Sequence, residues 1–368
     1  MNSKLEAATW ALGECLMTGI EGKRLSPETR KLLEQGRAGG ILLFTRNYES
    51  PTQIAALIDD LQLARARYLD GIAPPKTPLW VAVDYEGGKV QRFKEPFTKI
   101  PEAADLASKE SPKYLFSVSE MMAKELRAVG INLNFAPVCD IHTHPENPVI
   151  GRRAFGTDEE TVSKMTTAFI RGHLTHGVQA CAKHFPGHGN TTVDSHFALP
   201  KVTETLAELQ GRELRPFIKA FKSGCRFVMT AHILNPSVDP EFPATLSKIW
   251  LEKILRGELR YSGIIISDDL EMQAITDHYG ETEAPRLALE AGCDILIYRT
   301  EAAMNRAYDS LRNDLESGKL SADRVLEAAK RSWDFKQEAL KEDYRVRREE
   351  LPHCIGTEEN LKVLQGTT

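Results

Sequence analysis

The sequence predicts a single-domain (β/α)₈ barrel, and three observations lead to that class. Short apolar, β-branched runs alternate with helix-patterned stretches about seven times along the chain. Chemistry-bearing residues stand at the carboxyl ends of those runs: Asp84, Asp140, Lys183 with His184, His232 and Asp268. In a barrel such ends converge on one face. A doubly wound open sheet would spread them along a crevice, and its phosphate-binding G-x-G-x-x-G turn is absent.

In chain order, the amino terminus MNSKLEAATWALGECLMTGIEG has an early glutamate, one basic residue and no small-residue cleavage site. It reads as an amphipathic helix rather than a signal peptide. The runs Gly40–Phe44, Leu79–Asp84, Asn132–Val138, Gln179–His184, Phe227–Ile233, Gly263–Asp268 and Asp294–Tyr298 read as buried parallel strands. Helical patterning covers Pro51–Tyr68, Ser117–Val129, Glu160–His176, Thr205–Ser223 and Ala284–Ala291, several ended by glycine. From Ser321, Val325, Ala329 and Trp333 share one face, which suits a closing helix packed on the barrel. The barrel is expected over residues 1–340, and 341–368 as a polar surface tail.

The composition excludes several classes. At 368 residues, 42% hydrophobic and 27% charged, the chain matches a soluble globular protein with a sizeable core. A net charge of −5, spread through both halves, offers no basic stripe for nucleic acid. No apolar run approaches the ~20 residues of a membrane span. The six cysteines are scattered without a C-x-x-C pair, and Cys139, Cys181 and Cys293 fall in or beside apolar runs. These features fit a reducing, cytoplasmic setting.

The richest segment is CAKHFPGHGNTTVDSHFALP, residues 181–200. A strand delivers Lys183 and His184, Phe-Pro-Gly-His-Gly breaks regular structure, and Asp194-Ser195-His196 follows on a loop. Three histidines beyond Lys183 and an aspartate in one loop are poorly explained by solvation alone. A metal site would use the i, i+4 pair His184 and His188 with Asp194 and His196. Pro186, Gly187 and Gly189 oppose the helix that would align the pair, and Lys183 would repel a cation, so no metal or other cofactor is expected. Asp194-x-His196 instead supplies an imidazole with a nearby carboxylate, able to protonate a departing oxygen and then deprotonate water. That two-step role is what retaining glycosidases require.

In GIIISDDLEM a strand runs into two adjacent carboxylates. Successive strand side chains face opposite ways, so only one is expected to point into the centre. Asp268 is the candidate nucleophile, with Asp269 as a helix cap or supporting neighbour; standing alone, the segment would also suit a simple strand-to-helix cap. WVAVDYEGGKVQRF ends a strand in Asp84 and adds Arg92, while VIGRRAF adds Arg153. Carboxylates and guanidinium groups hydrogen-bond paired sugar hydroxyls directionally.

Together GGILLF, VAVDYEGGKVQRF, NLNFAPVCDI, VIGRRAFG, KHFPGHGNTTVDSH, MTAHI and SDDLEM resemble, in order from Gly39 to Tyr298, the bacterial β-N-acetylglucosaminidases of glycoside hydrolase family 3, the peptidoglycan-recycling type. The resemblance implies the barrel independently. It implies Asp268 as nucleophile, His196 as acid/base and Asp194 as its partner. It also implies Asp84, Arg92, Arg153, Lys183 and His184 as holders of the terminal sugar, with His232 in a matching strand beside them. Departures are Tyr85 for the usual Gln, Lys89 for Arg, Ala154 for Ser and His142 for a common Asn. They leave the catalytic trio untouched and bear on substrate preference.

The expected activity is a retaining exo-β-N-acetylglucosaminidase. Its substrate, by the same resemblance, is a small muropeptide, N-acetylglucosamine linked to 1,6-anhydro-N-acetylmuramic acid. A β-N-acetylglucosaminide phosphorylase is one alternative and a non-catalytic sugar-binding barrel another. Neither a nucleic-acid nor a membrane partner is expected.

Overall fold

The computed structural model describes residues 3–70, 77–191, 199–340, 346 and 348–367. Eight parallel strands form the expected (β/α)₈ barrel: β1 Leu16–Gly19, β2 Gly40–Leu43, β3 Trp80–Val83, β4 Leu133–Asn134, β5 Gln179–Phe185, β6 Phe227–Thr230, β7 Ile264–Asp269 and β8 Ile295–Tyr298. They pair in chain order, and Leu16 opposite Leu296 closes the ring.

Side chains from all eight strands meet in one interior cluster, among them Met17, Leu42, Trp80, Leu133, Cys181, Phe227, Ile266 and Ile297. Alternate strand residues such as Leu43, Val81, Ala180 and Val228 face outward into the larger cluster under the helices. The expected closing helix is present at Ala322–Ala339. Its Phe335 packs 5.6 Å from the Trp80 ring, and Ser332 Oγ accepts from Trp80 Nε1 at 3.1 Å.

Several expectations are corrected. The amino-terminal helix covers only Ser3–Ala11, and the apolar Leu16–Gly19 that follows is the first barrel strand, too short and too close to helical patterning to stand out. The expected strand 132–138 is regular only at Leu133–Asn134, because Pro137 has no N–H for the ladder; Val138 returns as an isolated bridge to Lys183. The stretch 205–223 splits into Leu206–Gly211 and Leu214–Lys222. Pro216 cannot donate to the carbonyl of Arg212, the residue at which the helix breaks.

The helix expected at 284–291 starts earlier, at Gln273, and bends at Gly280 with φ 71°. Residues 348–367 differ from a polar surface tail, since Leu351, Ile355 and Asn360 are buried. Asn360 Nδ2 and the Gly356 amide both donate to Glu125 Oε1, at 2.7 and 2.8 Å. All six cysteines are free, five of them buried. Among the described residues no helix is long and apolar enough to cross a membrane.

Asp294, at the start of β8, is fully buried and accepts from Arg256 at 2.6 Å, Arg331 at 2.7 Å and Arg324 at 3.1 Å. It ties the closing helix to the barrel. Removing one member of such a cluster leaves charge without its counterpart, so Asp294→Ala is expected to lower stability by about 3–5 kcal/mol. A urea midpoint unchanged from wild type would refute that role.

Candidate active site

The carboxyl ends of the strands surround a cavity of about 370 Å³. That volume suits a small ligand, whose pockets run from roughly 300 to 1,000 Å³. Six of the eight expected site residues line it: Asp84, Arg92, Arg153, Lys183, His184 and Asp268. The expected acid/base pair, Asp194 and His196, lies outside the described residues. A larger groove of about 1020 Å³ lies outside the barrel between the helices Glu159–Leu174 and Leu214–Lys222, and no strand residue lines it.

One wall is a chain of charges. Lys183 Nζ, on a side chain only 2% exposed, lies 2.9 Å from Asp84 and 2.6 Å from Glu86. Glu86 takes a fork from Arg153, at 2.8 Å from Nε and 2.7 Å from Nη2. Arg92 approaches Asp84 at 3.5 Å. Burial would raise the Glu86 carboxyl, but Arg153 and Lys183 hold it well below the usual range. Burial would likewise lower the Lys183 ammonium, and Asp84 with Glu86 raises it instead.

Glu86 was not among the expected site residues. It sits in a short hairpin, Tyr85–Gly87 paired with Val90–Gln91, in which Tyr85 is fully buried. The Asn134 side chain accepts from the Tyr85 amide and donates to its carbonyl, both at 3.0 Å, as a neighbouring strand would. With Tyr85 turned into the core, Asp84 and Glu86 fall on the opposite face. Alternation in DYEGG was the signal that could have found Glu86.

A second wall is organised by Asp140, which is buried beyond β4. It accepts from His184 Nδ1 at 2.7 Å and from the His188 amide at 2.6 Å. Since a carboxylate only accepts, His184 carries its hydrogen on Nδ1, and Nε2 is left for the cavity. Burial would raise the Asp140 carboxyl, and His184 and His188 lower it. Burial pushes the His188 ring down to about 4, so it is neutral near pH 7. Among the described residues no three His, Cys, Asp or Glu side chains converge on a metal position.

The third wall corrects the expectation that only one of the SDD carboxylates faces inward. Both Asp268 and Asp269 line the cavity. On β8 the paired positions step from Ile295 to Ile297, whereas on β7 they step from Ile266 to Asp269. That extra residue is a β-bulge, which breaks the alternation and re-aims the side chains.

Asp269 bonds Arg299 at 2.7 Å, and its own amide donates to Asp268 Oδ1 at 2.7 Å. Burial would raise the Asp268 carboxyl, but His232, His184, the Asp269 amide and Lys183 keep it below the ordinary aspartate value. Burial pushes Asp269 up to about 7, against the Glu271 amide at 3.0 Å and the half-exposed Arg299, and the like charges of Glu271 and Asp268 add to the rise. The site thus pairs an ionised carboxylate with a set of hydrogen-bonding cations, an arrangement that can hold a polyhydroxylated ring against a nucleophile.

The sequence model described as the glycosyl hydrolase family 3 N-terminal domain matches residues 9–333. The chain belongs to glycoside hydrolase family 3. It is 40% identical over 288 residues to a beta-hexosaminidase of Alkalilimnicola ehrlichii, covering 77% of this chain and 79% of the relative. Among solved structures it resembles a family 3 beta-N-acetylglucosaminidase from Paenibacillus sp., with TM-score 0.86 and 37% identity over 94% of this chain and 67% of that one. It also resembles NagZ from Neisseria gonorrhoeae, solved with N-trifluoroacetyl-D-glucosamine, with TM-score 0.78 and 31% identity over 96% of each chain. The chain is therefore a glycoside hydrolase.

Asp269 gives this family 3 site a pH signature. Its folded value of about 7 lies above the ordinary 3.8, so its contribution to stability is complete below about pH 4 and is lost as pH rises through 7. Asp269→Asn lacks that loss. Its stability relative to wild type should rise by roughly 2–4 kcal/mol between pH 4 and 8 in urea unfolding. Parallel curves for the two proteins would contradict the assignment.

Proposed function

We propose that the chain is a retaining exo-β-N-acetylglucosaminidase. The observation that carries this reading is the placement of Asp268, held ionised, in one small cavity with Asp84, Arg92, Arg153, Lys183 and His184. The names of the relatives, beta-hexosaminidase and beta-N-acetylglucosaminidase, support the acetamido sugar as substrate.

In this mechanism the five cavity residues hold the terminal sugar by its hydroxyls. Asp268 attacks the anomeric carbon, forming a C1–O bond as the glycosidic C1–O bond breaks. His196 gives its proton to the departing oxygen, and Asp194 stabilises its imidazolium form. Water then attacks the same carbon and loses a proton to His196, and the bond to Asp268 breaks. The natural substrate in this reading is the N-acetylglucosaminyl-1,6-anhydro-N-acetylmuramic acid unit of muropeptides, and the setting is cytoplasmic cell-wall recycling.

The test is hydrolysis of a chromogenic β-N-acetylglucosaminide and the matching β-glucoside in phosphate-free buffer. Wild type should cleave the acetamido sugar preferentially, and Asp268→Ala should lower kcat by roughly 10³–10⁵-fold. Undiminished activity in the variant would remove Asp268 from the mechanism. Turnover that requires added phosphate and yields the sugar phosphate would make the protein a phosphorylase, because a histidine acid/base does not repel that anion as a carboxylate would.

A further inference from the structure

His232 was placed beside the site without a role, and its contacts give it one. It follows β6 by two residues and is buried. Its Nε2 lies 3.0 Å from the main-chain oxygen of Asp269. A carbonyl oxygen only accepts, so Nε2 carries the hydrogen and donates it.

The peptide that receives this bond is also held from its other side, since the Leu270 amide donates to the Ile297 carbonyl of β8 at 3.0 Å. Ser267 Oγ accepts from the Ile297 amide at 2.9 Å. The bulged end of β7 is therefore pinned between β6 and β8. Within that pinned segment the Asp269 amide donates to Asp268 Oδ1 at 2.7 Å and fixes the carboxylate.

The other ring nitrogen is fixed as well. His232 Nδ1 lies 2.8 Å from Thr245 Oγ1, which itself lies 2.9 Å from Thr230 Oγ1 and 3.0 Å from the Ala231 carbonyl. The Thr245 hydroxyl has one proton to give. Turned to Nδ1, it serves a neutral ring; turned to Ala231, it leaves its lone pairs for a protonated Nδ1. In both states Nε2 keeps its hydrogen, so the bond to the Asp269 carbonyl survives a change of charge on the ring.

We propose that His232 is a positioning residue for the nucleophile: through the main chain of Asp269 it sets the angle from which the Asp268 carboxylate attacks. The inference rests on the assignment of Asp268 in the proposed mechanism. His232 acts on the attacking group and not on the sugar, so its loss should appear in kcat and not in KM.

The experiment compares His232→Ala, His232→Gln and Thr245→Val with wild type, by kinetics on the chromogenic β-N-acetylglucosaminide and by crystal structures of the free proteins. A misplacement of about 1 Å can cost on the order of a hundredfold in rate. His232→Ala should lose about that much in kcat with KM little changed, and its structure should show the Asp268 carboxylate displaced. The Gln amide can still donate to the Asp269 carbonyl, so His232→Gln should recover most of the rate and the wild-type carboxylate position. Thr245→Val, which leaves the His232 ring in place but removes its Nδ1 partner together with the bonds to Thr230 and Ala231, should fall between.

A rise in KM with kcat preserved would overturn the inference by making His232 a substrate contact. So would an unmoved Asp268 in His232→Ala, or a His232→Gln as impaired as the alanine variant despite a native fold. A wild type inactive on the sugar, with Asp268 displaced in His232→Ala and restored in His232→Gln, would sink the substrate reading alone.

Discussion

A lysine ammonium nearly sealed from solvent is the constraint around which the site is built. Lys183 can stay charged there only because two carboxylates, Asp84 and Glu86, stand within 2.9 Å of it. Glu86 in turn holds the Arg153 fork, which brings the segment after β4 against the hairpin after β3. Each charge is placed by the need to neutralise its neighbour, so the cavity wall is ordered before any ligand enters. The cavity therefore presents donors and acceptors already fixed in direction.

That order reaches back into the helical layer. Asn134 can pair both main-chain groups of Tyr85 because its own amide also meets His173 Nε2 at 2.9 Å, and His173 Nδ1 meets Ser119 Oγ at 2.6 Å. Burial pushes His173 down to about 3, so the ring is neutral and can accept the amide hydrogen. The helices Pro112–Ala128 and Glu159–Leu174 are thereby coupled to the turn that presents Asp84 and Glu86.

This arrangement explains which parts were legible in the sequence. Asp84, Lys183, His184 and Asp268 were readable because a parallel strand buried on both faces is a continuous apolar run, and a charge at its end interrupts the pattern visibly. β1 was hidden: Leu16–Gly19 is four residues long and follows a helix with only a short 3₁₀ turn between them. Glu86 was hidden because Tyr85, flanked by two acids, gives no sign by itself that it turns into the core. Asp140 and His232 were visible as strand-end residues, but Asp140 meets main-chain amides as well as the His184 ring, and His232 meets a main-chain carbonyl, contacts that composition and spacing do not reveal.

The SDD pair shows a limit of another kind. Strand alternation is a property of regular pairing, and the register of β7 against β8 is not written in either strand alone. With the bulge, two neighbouring carboxylates share one cavity, and like charges so close do not ionise equally. His232, His184 and Lys183 favour the ionised form at Asp268, while at Asp269 the Glu271 amide and the half-exposed Arg299 do not offset its burial and two acidic neighbours. The surroundings therefore concentrate negative charge on the first residue and keep the second close to its midpoint at neutral pH. Two identical side chains, adjacent in sequence, become chemically distinct through what each strand end places beside them.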